Sequence, residues 1–309
     1  MHEFDVVGLG EPLVEFNQIH GAGRVFQQGV GGDTFNAIIA AARHGARTAY
    51  CCRIGGADEF GQLFYDTCTQ EGVDASGLVA DPEANNGLYF IQHDDQGHHF
   101  SYVRRYSASS RMQVSDLRHG LVERTRYLHV SGISLALGAS VCDTVFAAMD
   151  RARAAGGRVC LDPNLRLKLW SLEQARTVLC EAIRQADIFL PGIDDMRAMT
   201  GLSDPHEILA WIRSINPQTA IVLKLGHAGV AVEDNGGLFF VPPYQVQSID
   251  ATGAGDCFAG SLLARLAANE DLPTAVHYAN AAAALSTTRF GAIAALPDVH
   301  EVSVLMSAA

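Results

Sequence analysis

A chain of 309 residues with 48% hydrophobic content is long enough for one large α/β core with a small excursion from it. Its formal net charge of −12 argues against a nucleic-acid surface, which needs clustered Lys and Arg, while leaving room for a small anion held by a few arginines inside a cleft. Apolar runs such as Phe35 to Ala42 break off well before the roughly 20 residues that cross a bilayer, and the opening Met1-His2-Glu3-Phe4-Asp5 lacks the basic and apolar pattern of a secretory signal, so no membrane partner and a cytoplasmic location are expected.

Phe4 to Gly10 reads as a buried first strand ending in glycine, and Leu13 to Val30, with short alternating runs and Gly21, Gly23 and Gly29, as a β excursion. After Gly31-Gly32 a helix capped by Asp33 or Thr34 is predicted to run to about His44, with Phe35, Ile38, Ile39 and Ala42 on its core face. Asn36 then falls near the first turn, where a side chain can face a ligand over a sheet. Thr48 to Ile54 is strand-like and Glu59 to Glu71 helical, stopped at Gly72. Gly87 to His93, the turn Asp94-Asp95-Gln96-Gly97 and His98 to Arg104 form a hairpin of alternating polarity.

From Tyr127 the pattern alternates. Strands are expected at Tyr127 to Ser131, Arg158 to Asp162, Ile188 to Leu190 and Ala220 to Lys224, with two more through Val241. Helices are expected at Val141 to Ala155, Leu172 to Ala186, Asp194 to Thr200, from about Asp256, and lastly from Leu272 to about Arg289. Such alternation implies a parallel sheet covered on both faces, with ligands beyond the carboxyl ends of its strands. The main α/β domain is assigned to 1–12, 31–86 and 107–309; the segments 13–30 and 87–106 are assigned to a small β-sheet lid that cannot bury a core of its own.

The chemistry concentrates in Asp250-Ala251-Thr252-Gly253-Ala254-Gly255-Asp256. Gly253, Ala254 and Gly255 let the backbone turn sharply with no side chain in the way of a ligand, and the first N–H groups of the following helix lack intrahelical partners. These groups and the helix dipole suit an anion, and Asp256 beside them suits proton acceptance: together they suggest phosphoryl transfer to a hydroxyl. No Gly-x-x-x-x-Gly-Lys-Ser/Thr loop occurs, and Gly8-Leu9-Gly10 lacks the third glycine of a dinucleotide fingerprint. Asp162-Pro163-Asn164-Leu165-Arg166 follows a strand, where Arg166 can grip a carboxylate or phosphate. Tyr102 and Arg104 share a strand face on the hairpin, setting an aromatic ring and a cation side by side, while Arg105 suits a sheet edge. The seven cysteines contain no Cys-x-x-Cys pair and read as small buried filler, and the twelve histidines contain no His-Glu-x-x-His.

The heptapeptide resembles the second signature of the ribokinase-like, PfkB-type carbohydrate kinases, with Ala251 where that family usually has Thr; Gly31-Gly32-Asp33-Thr34-Phe35-Asn36 resembles the first. With Gly87-Leu88-Tyr89 and Ser131 to Leu135, the chain resembles the sugar-acid branch of the family, whose acceptor is 2-keto-3-deoxygluconate. The resemblance covers essentially the whole chain. It implies a three-layer fold with a mostly parallel sheet and a β lid, ATP and Mg2+ as cofactors with a monovalent cation as a further candidate, a small sugar acid as partner, and a homo-oligomer, a dimer through the lids. Gly32, Asn36, Tyr89, Tyr102, Arg104 and Arg166 would hold the keto acid, with its terminal hydroxyl near Asp256. Asn164, Lys224, Gly226, Gly229 and Asn280 would face the nucleotide. Asp195 stands in the acidic position of an Asn-x-x-Glu found in many relatives, whose asparagine is absent here. A neutral-sugar kinase acting on fructose or ribose, a nucleoside kinase and a non-catalytic sugar-acid sensor are the alternatives.

Overall fold

The computed structural model describes residues 2–19, 23–94, 97–118, 120–234 and 236–308; Gly21 and the expected turn residues Asp95 and Gln96 lie outside them. The elements in chain order are β1 (Phe4–Leu9), β2 (Leu13–Gln18), β3 (Phe26–Gly31), α1 (Asp33–Arg43), β4 (Thr48–Gly55), α2 (Gly61–Glu71), β5 (Val73–Asp81), β6 (Gly87–Asp94), β7 (Gly97–Val103), β8 (Thr125–Ser131), α3 (Gly132–Leu135), α4 (Ala139–Ala154), β9 (Arg158–Asp162), α5 (Leu172–Gln185), β10 (Ile188–Phe189), α6 (Ile193–Thr200), α7 (Pro205–Ile215), β11 (Ala220–Lys224), β12 (Val230–Asp234), β13 (Gly237–Val241), α8 (Ala254–Ala267), α9 (Leu272–Ser286) and α10 (Val299–Ala308).

Among the described residues, nine strands form one sheet in the order β13-β12-β11-β10-β9-β8-β1-β4-β5. It is parallel from β11 to β5 and antiparallel at the β11–β12 and β12–β13 pairs. Its central strands carry apolar residues on both faces because both faces are covered: Val6, Val7 and Leu9 of β1 and Leu128 and Val130 of β8 are completely buried. Helices α1, α2, α8, α9 and α10 form one layer, and α3 to α7 the other. β2, β3, β6 and β7 form a second sheet in the order β3-β2-β6-β7, with β2 and β6 parallel, so both expected excursions join in one small sheet.

Several elements depart from the sequence expectation. β5 was not expected: Gly77 interrupts its alternating pattern where the β4–β5 register shifts between Ala49 and Cys51, and it lies so close to β4 that a β-carbon there would meet Tyr50 O at 2.4 Å. α7 was also missed, although Asp204 caps it through the His206 and Glu207 N–H groups and Pro205 opens it. The helix from Leu272 stops at Ser286 and is followed by α10. α2 starts at Gly61, two residues later than expected. Neither Asp33 nor Thr34 caps α1; its N-cap is Gly32, with φ of 124°, because Asp33 accepts a hydrogen bond from Asn164 Nδ2 and Thr34 bonds the Tyr50 hydroxyl.

The cysteines are free, five of them buried, and burial pushes the Cys257 thiol up to about 12, which suits packing rather than reactivity.

The two helices that carry Asn36 and Asp256 cross at a glycine. A β-carbon on Gly260 of α8 would lie 2.0 Å from Ala37 O and 2.7 Å from Ala40 Cβ of α1, and a helix backbone cannot give way as a side chain can. Gly260→Val is expected to cost about 2–4 kcal/mol of stability and to lower the midpoint of thermal unfolding by roughly 5 °C or more, read by calorimetry on the purified variant.

Candidate active site

The carboxyl ends of β8, β9 and β11, the N-termini of α1 and α8 and the inner face of the small sheet enclose a cleft of about 890 Å³. That volume lies near the upper end of the roughly 300–1,000 Å³ common for ligand sites, enough for two small ligands side by side.

Its floor is the start of α8. Gly253 adopts φ of 75° as the N-cap and supplies no side-chain cap, so the first N–H groups of α8 are left for a ligand or water. A β-carbon on Gly253 would touch Ala292 at 3.2 Å, and one on Gly255 would sit 3.5 Å from Lys224 Nζ. The turn is pinned from behind by Asp250, whose Oδ1 accepts from Thr252 N and Oδ2 from Gly291 N, both at 2.9 Å. Ala251 is exposed and adds no hydroxyl. Ala254 lies in the first turn of α8 and, unlike Gly253 and Gly255, does not line the cleft.

Asp256 lines the cleft and accepts a hydrogen bond from Asn36 Nδ2 at 2.8 Å. Burial pushes its carboxyl up to about 8; the charge of Asp33 adds to this, while the Asn36 hydrogen bond and Lys224 oppose it. Beside the α8 turn, Lys224 Nζ lies 2.5 Å from Asp162 Oδ2. Burial works against the Lys224 charge, but the Asp162, Asp195 and Asp256 carboxylates outweigh it and raise its pKa. Asp195 is pushed up to about 6, by burial first and then by Asp162. Asn164, with φ of 31°, completes this wall by donating to Asp33 Oδ2 at 3.0 Å.

The small sheet supplies an aromatic wall. Tyr89 and Tyr102, paired across β6 and β7, stack with centroids 5.9 Å apart, and Phe100 stacks on Tyr102 at 6.4 Å. The Tyr89 hydroxyl bonds Glu15 and packs over Gly31. Arg104 lies beside Tyr102, its Cζ 5.7 Å from the ring centre, but its guanidinium is ion-paired with buried Glu11. That pair qualifies the expectation of a free cation at 104. Arg166 is exposed at the cleft wall, donates to Leu165 O at 3.0 Å and has no acidic partner among the described residues.

Twelve of the sixteen anticipated site residues thus converge: Gly32, Asn36, Tyr89, Tyr102, Arg104, Asn164, Arg166, Asp195, Lys224, Gly253, Gly255 and Asp256 all line the cleft. Gly226, Gly229 and Asn280 do not. Gly229 closes the β11–β12 turn, where a β-carbon would meet Val241 O at 2.1 Å, and Asn280 Nδ2 donates to Pro242 O at 2.8 Å. Glu11, Asp33, Phe100, Asp162 and Asp250 also line the cleft and were not singled out as site residues. Glu11 and Asp162 had a readable signal, since each stands at the carboxyl end of a predicted parallel strand.

The profile of the pfkB family carbohydrate kinases matches residues 3–299. The chain belongs to this family. It is 34% identical to the 2-dehydro-3-deoxygluconokinase of Thermoproteus tenax over 98% of this chain and 94% of that one, and 33% identical to fructokinase-1 of Oryza sativa subsp. japonica over 98% of each. Among solved structures, the fructokinase of Vibrio cholerae O395 in its fructose-, ADP- and calcium-bound form is similar with a TM-score of 0.86 at 30% identity, covering 97% of this chain and 98% of that one. The ATP-bound fructokinase of Xylella fastidiosa has a TM-score of 0.89 at 25% identity, covering 98% of each.

In this carbohydrate kinase, Asn36 donates to the charged form of Asp256, so its removal disfavours that form. Asn36→Leu is therefore expected to move titration of the Asp256 carboxyl to still higher pH, followed by carbon-13 NMR of protein labelled at its aspartate carboxyls. A downward move would mean that the hydrogen bond does not govern the site.

Proposed function

We propose that this kinase transfers the γ-phosphoryl group of ATP to the terminal hydroxyl of 2-keto-3-deoxygluconate, giving 2-keto-3-deoxy-6-phosphogluconate and ADP. The observation that carries the sugar-acid reading is Arg166, an exposed guanidinium in the same cleft as Asp256 that makes no close ion pair among the described residues. The similarity to a 2-dehydro-3-deoxygluconokinase over almost the full length supports it.

In this reading Gly32, Asn36, Tyr89 and Tyr102 hold the sugar chain, and Arg166, with Arg104 beside it, takes the carboxylate. Asp256 accepts the proton of the terminal hydroxyl as its oxygen attacks the γ-phosphorus, and the bond to the β–γ bridging oxygen breaks, releasing ADP. The N–H groups at Gly253, Ala254 and Gly255 stabilise the charge that builds on the phosphoryl oxygens. Lys224, held by Asp162, faces the phosphates, with Asn164 and the Gly226–Gly229 turn on the same side. Asn280 acts through the loop at Pro242. The small sheet serves as a lid that keeps water from the transferred group.

No three His, Cys, Asp or Glu residues converge as a metal site among the described residues. Mg2+ bound with the nucleotide would supply neutralisation of phosphate charge here. Asp195 is the acid that this reading assigns to its hydration shell.

A neutral-sugar reading is favoured by one feature, the compensation of Arg104 by Glu11, and by the similarity to fructokinases. A coupled assay of ADP release over keto-deoxy sugar acids, fructose and ribose separates the two, with the keto acid expected to give the highest kcat/KM. Arg166→Ala is expected to raise KM for the keto acid about tenfold or more, with little change for a neutral sugar. Asp256→Asn is expected to lower kcat by about 10²- to 10⁴-fold while ligand binding, measured by calorimetry, is retained; near-normal turnover would remove Asp256 as the base.

The wild-type pH profile tests the same role. A base that must be ionised gives a kcat/KM that rises with pH up to its pKa, so the acid limb should lie well above the ordinary carboxylate range, in line with the elevated Asp256. A limb below about pH 5 would assign proton removal to another group.

A further inference from the structure

The backbone passes between the large and small sheets four times, at 10–12, at Gly32, at 82–86 and at 104–107. All four crossings meet at Glu11. Its Oε1 accepts from Ser107 Oγ at 2.7 Å and its Oε2 faces Arg104 Nη2, both in the last crossing. A β-carbon on Gly87, where the third crossing enters β6, would lie 2.9 Å from Glu11 Oε1, and one on Gly32 would lie 2.4 Å from Glu11 O.

The Glu11 side chain is fully buried and that of Arg104 only 12% exposed, yet both residues line the cleft. Arg104 Nε has no hydrogen-bond partner among the described residues, so the guanidinium retains donor capacity. A guanidinium already balanced by a buried carboxylate attracts a second carboxylate far less than a bare one does.

We propose that Glu11 is a specificity-determining residue: as the buried counter-ion of Arg104 at the junction of the two sheets, it competes with a substrate carboxylate for that guanidinium and limits the preference for acidic over neutral sugars. The proposal rests on the sugar-acid reading for the identity of the acid, and on the Glu11–Arg104 contact for its mechanism. Arg166 sets the attraction for an anion; Glu11 sets how much Arg104 adds to it. Burial raises the pKa of Glu11, with Arg104 and Ser107 opposing, which fits a carboxylate that depends on this cation to stay charged.

The test is calorimetric binding of 2-keto-3-deoxygluconate and of fructose to full-length wild type and Glu11→Gln, without ATP. The variant is expected to bind the keto acid about fivefold tighter or more, with fructose affinity changed less than about twofold. An unchanged or weaker affinity for the acid, or an equal change for both sugars, overturns the proposal. If Glu11→Gln does not fold, Glu11→Asp, whose carboxylate is withdrawn by one methylene, takes its place with the same sign expected; failure of both to fold makes Glu11 purely structural and also overturns it. A wild type that turns over fructose and not the keto acid, together with a Glu11→Gln variant that gains acid affinity, would overturn the substrate reading and uphold the role of Glu11. Wild-type turnover of the keto acid with unchanged preference in the variant would do the reverse.

Discussion

The site depends on one hydrogen bond, from Asn36 Nδ2 to Asp256 Oδ2, between residues 220 positions apart. It joins the first turns of α1 and α8, which run side by side because Gly260 lets the two backbones approach. Neither helix has a side-chain cap at its start. Uncapped N–H groups are a cost in a buried helix end and an asset where an anion is to arrive.

Around that bond the charges are arranged in opposition. Asp33, Asp162, Asp195 and Asp256 crowd one cleft, and Lys224 lies against Asp162 within it. Loss of hydration and mutual repulsion raise Asp256 and Asp195, while Lys224 is held charged by the same acids. Bare carboxylates repel an anion, so Lys224 and the α8 N-terminus are the groups of this wall whose charge favours one. The part of the cleft beside the small sheet differs: it has aromatic rings, Arg104 paired with Glu11, and Arg166 in no close ion pair among the described residues.

Much of this was legible in the sequence because its strongest signals are local. The apolar runs of β1, β8, β9 and β11 and the two glycine-rich helix starts each carry their own periodicity and punctuation, the rule that ligands gather at strand carboxyl ends pointed to the right edge of the sheet, and the family resemblance supplied most of the individual site residues. What escaped depends on pairing between distant segments. β5 hides its strand character behind Gly77 and a register shift, and the capping of α1 by Asp33 or Thr34 failed because Asn164 and Tyr50 claim those side chains. The compensation of Arg104 is of the same kind: nothing near Tyr102-Val103-Arg104 points to a glutamate more than ninety residues earlier. The helix α7 is a different case, since Asp204 and Pro205 announced it locally.

The parallel pairing of β2 with β6 has a consequence for how the molecule reaches its native state. Glu15 and Tyr89 stand 74 residues apart, and α1, β4, α2 and β5 lie between the two strands. Closing so long a loop is entropically unfavourable until the intervening elements have docked, so the small sheet belongs to the late, non-local stage of folding. A nascent chain therefore exposes the β2–β3 ribbon with an unpaired edge for as long as β6 has yet to arrive, which makes this ribbon the segment most open to mispairing during synthesis.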